Sequence, residues 1–552
     1  MAFHLLLIAV PVGVICIAVL VSLNRAKHNQ LRQIAGPPVH HLFDNHLRSV
    51  LDPSISPQVH QHYVSRYGRS IRIRGIGFWD DRLLTLDPVS VSHILKNTSI
   101  YQKPWQSRKF ISSLIGCGLL AAEGETHRRQ RRVASPAFSA HNLHALVPLV
   151  FKKAIELKDK WVDLVHMQSE QVDARVDVCH WISRATFDVI GLAGFEYDFN
   201  AIHDETNELF SAYKDMFEVS ISQARMLRSL VGIYLPWIAI LFPDKATRTV
   251  RDSQSVIRRV AGKLIQAKKQ RIMEGKNGND LLSLLLASNL SEELAAHQRI
   301  SDEDILHNIN TFMFAGSDTS SLTLTWTLWL LAQHPEVQDR LRCELLSIMS
   351  KTTAGDLTDE ELLSLYDSIS NLPYLHNVMR ETIRLIPPVH SSIRVATEDD
   401  EIPTAYPVRK RDGSAQEKKS VSVAKGTLIH VAIEGFNLDK EIWGEDAWDF
   451  NPDRWERLPE SVSSLPGLFS NTLTFSAGPR SCIGMRFAMI EIKTVVYMLV
   501  AHFRFRPTEE RIMKANVVLT RPYVRGRYGT GSQCPLFVGM SRGGDKERGV
   551  TY

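Results

Sequence analysis

A mainly helical fold, preceded by one membrane-spanning helix, is what this sequence of 552 residues predicts. Three observations carry that expectation. Runs with helical periodicity recur through the body, at Ser301 to Gln333, Tyr374 to Leu385 and Met485 to Val500. An uncharged apolar stretch, Leu5 to Leu23, opens the chain. No Pro/Gly-rich interior linker divides the body, so the length reads as one large catalytic unit rather than a string of small domains.

The N-terminal run comes first in order. At about 1.5 Å per helical residue it spans roughly 28 Å, close to the hydrocarbon thickness of a bilayer. Pro11 and Gly13 fall inside it, which membrane helices tolerate. Arg25, Lys27 and Arg32 follow, and such charges favour the cytosolic side. Gly36-Pro37-Pro38 reads as a stiff hinge into the body. A cleaved secretory signal would need a basic start and a small-residue cleavage site. The start here is Met-Ala-Phe-His and the charges follow the run, which favours a retained anchor.

Composition excludes several classes. The six cysteines, Cys16, Cys117, Cys179, Cys343, Cys482 and Cys534, lie far apart with no C-x-x-C pair. Neither a zinc site nor a redox dithiol is indicated, and sparse thiols suit a reducing compartment. A net charge of +5 is too mild to argue for nucleic acid. The arginines of the segment after Gly124 come without aromatic interleaving, so no nucleic-acid partner is expected.

The decisive segment is Phe475-Ser-Ala-Gly478-Pro-Arg480-Ser-Cys482-Ile-Gly484, directly before the helical run at Met485. A lone cysteine is usually a small buried hydrophobe. Here it stands in a turn at a helix start, where the positive end of the dipole favours a thiolate. Gly478 suits a positive φ in a tight turn, and Gly484 leaves room for close approach to a flat group. Arg480 offers a guanidinium fork to a carboxylate. Phe475 can keep water from the sulfur. These residues fill the pattern F-x-x-G-x-R-x-C-x-G, and through it the sequence resembles the cytochrome P450 family, in its membrane-anchored microsomal form and of the fungal secondary-metabolism type. The resemblance implies a mainly α fold with small β-sheets and a haem b whose iron takes the Cys482 thiolate as axial ligand.

The run at Ser301 has a capped start in Ser301, Glu303 and Asp304. It contains Ala315-Gly316-Ser317-Asp318-Thr319-Ser320. Glycine in a helix interior costs about 1 kcal/mol, so Gly316 needs a reason, and room for dioxygen at a haem face is the expectation. Thr319 is placed to bond back to the Ala315 carbonyl. The resemblance makes Asp318 and Thr319 an acid–alcohol pair that relays protons to bound dioxygen. Ala315 stands where a fatty-acid-oxidising branch of the family often has a haem-esterifying Glu, so the haem is expected to be non-covalent.

In the run at Tyr374, Glu381 and Arg384 share a helix face, and Pro387-Pro388 ends the helix. The resemblance implies that this pair is buried and joined by Arg454 of Phe450-Asn-Pro-Asp-Arg454. Gly124-Glu-Thr-His127-Arg-Arg-Gln-Arg131 departs from the family's Trp-x-x-x-Arg, with His127 in place of Trp; both His127 and Arg131 are implied partners of a haem propionate, as is Arg394. The remaining arginines of that run would present positive charge to an electron donor, an NADPH-cytochrome reductase, with cytochrome b5 as a second candidate.

The substrate expected is a lipophilic, terpenoid-like or other secondary metabolite drawn from the membrane. A fatty acid fits the same apolar segments, with Phe312, Phe314, Ile393 and Val395 expected near the oxygen site. A haem-thiolate sensor or isomerase is the alternative class, and it often lacks the acid–alcohol pair. The organisation expected is an anchor at 1–23, a basic and Pro-rich hinge at 24–40, a haem-thiolate catalytic domain at 41–543 and a polar tail at 544–552, held at the endoplasmic reticulum membrane with the catalytic domain cytosolic.

Overall fold

A computed structural model describes residues 29–40, 45–77, 79–167, 173–221, 245–274, 276, 278–290, 295–349 and 357–541. The helices that build the site are α1 (Gly124–Ala134), α2 (Val147–Met167), α3 (Val178–Phe195), α4 (Glu208–Ile221), α5 (Asp302–Gln333), α6 (Pro373–Leu385) and α7 (Met485–His502). Strands β1 (Ser70–Arg74), β2 (Asp81–Thr85), β3 (Tyr101–Gln102), β4 (Ala174–Asp177), β5 (Ser392–Ala396) and β6 (Asp400–Pro403) come first in the chain. Then follow β7 (Ser420–Val423), β8 (Leu428–Val431), β9 (Phe503–Pro507), β10 (Ile512–Val517), β11 (Leu519–Val524) and β12 (Pro535–Met540). Helices thus dominate and the sheets are small, as expected. The expected transmembrane run Leu5–Leu23 and the polar tail lie outside the described residues; among the described residues no helix is long and apolar enough to cross a membrane.

The chain divides into two interleaved units. The first takes the described part of Met1–Pro104, His390–Ala447 and Pro459–Ser481. Its main sheet has the order β1-β2-β8-β5-β3. The Ser70-Ile-Arg-Ile-Arg74 alternation explains the two faces of β1. Ile71 and Ile73 join Tyr63, Val64, Leu84 and Leu86 in an apolar core. Arg72 and Arg74 point the other way, to the buried carboxylate of Asp81 at 3.3 and 3.2 Å. The segment expected to be a hinge is tied to this unit: Leu31 is fully buried, Ala35 bonds to Arg72 and Arg409, and a side chain on Gly36 would strike the Arg72 carbonyl. The loop between β6 and β7 is largely exposed, in keeping with its charged sequence.

The second unit holds Trp105–Val389, Trp448–Leu458 and Cys482 onward. α5 starts where Ser301 caps it, with Asp304 closing a reciprocal box onto the Ser301 backbone. It is buried on nearly all sides, the pattern of a core helix. α7 is likewise buried from Met489 to His502. The sheet β4-β12-β9 and the hairpin β10–β11 complete the unit. That hairpin is pinned. Trp326 of α5 donates from Nε1 to the Thr520 carbonyl at 2.9 Å. Thr520 donates from Oγ1 to Pro387 at 2.8 Å and from its backbone to Pro388 at 2.8 Å.

Candidate active site

Cys482 stands two residues before Gly484, which caps α7. Its side chain is reached by solvent, yet dense protein on its other sides desolvates it. Burial therefore pushes the thiol up, against the Gly484 N–H bonded to it and the nearby Arg131 guanidinium. The expected gain from the helix start is real in kind and outweighed in size. A bound metal cation reverses that balance, because a coordinating thiol is deprotonated outright.

Three observations fit a haem-type cofactor on this sulfur. The thiol is reachable, sits in a water-poor recess and already receives an N–H donor. Gly484 has an ordinary φ of −87°, and a side chain there would meet only Phe138, at 3.9 Å. Neither backbone nor packing among the described residues requires glycine, whereas a flat group on that face would. Phe138 in turn packs edge-on against Phe312 of α5, with ring centroids 5.3 Å apart.

Arg131 and His127 lie one turn apart on α1, and His127 is buried. Desolvation lowers the Arg131 proton affinity and the Cys482 sulfur raises it. Arg394, Phe475 and Arg480 belong to the first unit. Arg394 is buried on β5 and donates to Ser392 Oγ at 2.5 Å and to the Ile393 carbonyl at 3.0 Å. Phe475 stacks edge-on against Phe469, with centroids 5.6 Å apart. Arg480 ends the tight turn that Gly478 opens. Gly478 has a φ of +68°, and a side chain there would lie 2.4 Å from the Leu95 carbonyl, so glycine is required twice over.

On α5, Thr319 Oγ1 donates to the Ala315 carbonyl at 2.8 Å. At Gly316 the structure supplies a packing reason for glycine. A side chain at this position would sit 2.8 Å from Ile190 Cδ1, so the glycine lets α3 close against α5. Phe314 lines a cavity of about 150 Å³ together with Asp318, four residues on. In that cavity Asp318 forms an ion pair with Arg521 of β11.

Glu381, Arg384 and Arg454 come together as a fully buried network. Arg384 donates to Glu381 at 2.7 and 2.9 Å and Arg454 at 3.3 Å. Trp455 Nε1 adds a bond at 3.0 Å and the Asn451 backbone one at 3.2 Å. Those last two donors and Arg521 were not anticipated. Pairing across roughly 200 residues leaves no local pattern. Glu491 was also missed, although a lone acid in the apolar run of α7 is a visible signal. Burial pushes its carboxyl up to about 8, against a partial pull from the Ser320 hydroxyl. Neither of its oxygens completes a well-formed hydrogen bond among the described residues.

The family model for cytochrome P450 matches residues 35–524. The chain belongs to the cytochrome P450 family. Cytochrome P450 monooxygenase 205 of Postia placenta is 36% identical to it over 551 residues, covering 96% of this chain and 97% of the relative. Cytochrome P450 monooxygenase 128 of the same fungus is 35% identical, covering 92% of each. A ganoderic acid synthetase of Ganoderma lucidum is 34% identical over 476 residues, covering 82% of this chain and 84% of the relative. The family implies a haem-thiolate iron cofactor, a redox partner and lipophilic substrates. In this P450, Cys482 with its Gly484 N–H is the residue whose surroundings suit that cofactor.

Proposed function

We propose that this P450 inserts one oxygen atom of O2 into a lipophilic secondary metabolite of terpenoid-like character, using electrons from NADPH. The observation that carries the reading is the reachable, desolvated Cys482 thiol with its Gly484 N–H and Arg131 beside it. Haem b, when bound, supplies the iron that activates dioxygen. Cys482 would be its axial ligand, and His127 and Arg131 would meet its propionates.

The chain's own residues then have defined tasks. The Gly484 N–H bond and the Arg131 charge both favour the thiolate and tune what the sulfur donates. Thr319 donates its hydroxyl hydrogen bond to the Ala315 carbonyl, which leaves the Oγ1 lone pairs to accept from water. A water donating to Oγ1 would be fixed in orientation there, as proton transfer to an oxygen substrate requires. Asp318, the next residue, is the nearby acid. The kinship with a ganoderic acid synthetase favours a secondary metabolite over a fatty acid. The apolar run Leu5–Leu23 supports a single-pass anchor in the endoplasmic reticulum membrane, with the body cytosolic. The exposed Arg128 and Arg132 of α1 support docking of an acidic reductase, with cytochrome b5 as a second donor.

The reduced, carbon-monoxide-bound protein should show the red-shifted thiolate band, and Cys482→Ser should abolish it while the chain stays folded. Turnover with reductase, NADPH and labelled dioxygen should put label in the product. Loss of the band from the wild type would end the haem-thiolate reading; unlabelled product would move the chain to a non-hydroxylating class.

A further inference from the structure

The cavity beside Asp318 takes one face of α5. Phe314, Ser317, Asp318, Ser321 and Leu322 line it, spaced three and four residues apart along the helix. Ala315 and Thr319 each lie about 100° further round, on the adjacent face. The other walls come from α3, α4 and the segment around Ser532. The cavity is therefore set to one side of the threonine hydroxyl that the oxygen chemistry uses.

Two kinds of surface meet in it. Phe187 of α3 joins Phe210 and Tyr213 of α4 in an aromatic wall, with ring centroids 5.3 and 5.8 Å apart, and Phe314 lines the same space. The rest is polar, and there the carboxylates already have donors. Asp177 Oδ1 accepts from the Cys179, His180 and Cys534 backbone at 3.2, 3.4 and 2.9 Å, and it caps the start of α3. Asp318 Oδ2 accepts from Arg521 Nη2. Several donors, by contrast, have no acceptor among the described residues. Lys214 makes no ion pair or hydrogen bond, and the other nitrogens of Arg521 make none either. The Ser532 hydroxyl is buried and unpartnered. Arg521 cancels Asp318, and the three N–H groups with the α3 dipole offset Asp177, which leaves Lys214 as the uncompensated charge.

That combination selects a ligand. A purely apolar guest would leave the buried hydroxyl and the guanidinium N–H groups without acceptors, which is costly. A small hydrophilic anion would leave the aromatic wall against water. About 150 Å³ admits a benzene-sized body. We propose that the cavity is a second ligand site, which takes a small aromatic carboxylate. Its ring lies against Phe187, Phe210 and Phe314, and its carboxylate accepts from Arg521, Lys214 and Ser532. Arg521 then bridges the ligand and Asp318. An acid bound here is an effector and not the molecule oxidised. Binding of this kind needs no haem chemistry, so it stands apart from the monooxygenase reading.

The probe is benzoate, titrated calorimetrically at low salt into the haem-loaded full chain. Saturable one-to-one binding is expected, with the haem absorption band unmoved because the ligand is not at the iron. Benzyl alcohol, which has the ring without the charge, and acetate, which has the charge without the ring, should each bind severalfold more weakly. Lys214→Gln, a change on the exposed side of α4, should weaken benzoate severalfold. Ser532→Leu fills the cavity and should abolish binding; if that variant fails to fold, Lys214→Gln decides. Absence of saturable benzoate binding would overturn the proposal, as would wild-type affinity in Lys214→Gln or in folded Ser532→Leu. Acetate or benzyl alcohol binding as tightly as benzoate, or a haem band that shifts in step with benzoate, would overturn it too. The carbon-monoxide band is recorded on the same preparation, so a failure of the haem-thiolate reading is seen separately.

Discussion

Replacing Glu381 by Ala should leave a chain that folds poorly and does not retain haem, and the size of the effect can be worked from its partners. Glu381 has no solvent exposure and accepts from Arg384, Arg454, Trp455 Nε1 and the Asn451 backbone. Removing one partner of a buried ion pair costs about 3–5 kcal/mol, because the remaining charge is stranded. Each buried donor left without an acceptor adds roughly 1–3 kcal/mol. The sum is comparable with the whole stability of an ordinary domain, about 5–15 kcal/mol. Glu381→Gln keeps one acceptor oxygen but loses the charge and turns an NH2 donor toward the donors that met the other oxygen, so it should fall between wild type and the Ala variant. Guanidinium unfolding midpoints, followed together with the reduced carbon-monoxide spectrum, measure both effects. An Ala variant that unfolds within about 1 kcal/mol of wild type would show that the network is not a stability element, and the reasoning from stranded charge would fail.

Acid should weaken the first unit. Burial lowers His60 and His390 from 6.5 to about 4 and His430 to about 3, with Arg82 adding to the effect on His430 and Glu434 partly opposing it at His60 and His390. The unfolded chain binds these protons first. Stability is therefore full above about pH 6.5 and is lost progressively as pH falls toward 4, by roughly 3 kcal/mol each for His60 and His390. An unfolding midpoint that stays flat between about pH 7 and about pH 5 would contradict this. At Gly316 the sign of a substitution should depend on a neighbour. Gly316→Ala gains about 1 kcal/mol of helix propensity and meets Ile190, an overpacking cost of about 1–3 kcal/mol. In an Ile190→Ala background the same substitution should turn stabilising, and equal effects in both backgrounds by a double-mutant cycle would refute the contact.

Legibility followed the range over which each feature is encoded. The caps, stops and periodicity of α5, α6 and α7 are local, and the helices lie within two residues of the runs that announce them. The positive φ at Gly478 was legible because glycine in a Pro-containing turn has few other uses. Gly316 shows where this reasoning thins. Its conformational cost was visible, but the neighbour that justifies it, Ile190, lies on another helix. The Cys482 balance failed for the same reason in energetic form. A helix start can be read along the chain, whereas burial is summed over segments as distant as α1. Asp318 carries the point furthest. The sequence names it an acid beside an alcohol, yet the guanidinium that directs it comes from a hairpin about 200 residues later, held there by Trp326 two turns along Asp318's own helix. The helix that presents the acid thus also anchors the strand that restrains it. A substitution at Trp326 should for that reason loosen the Asp318–Arg521 pair without touching either residue.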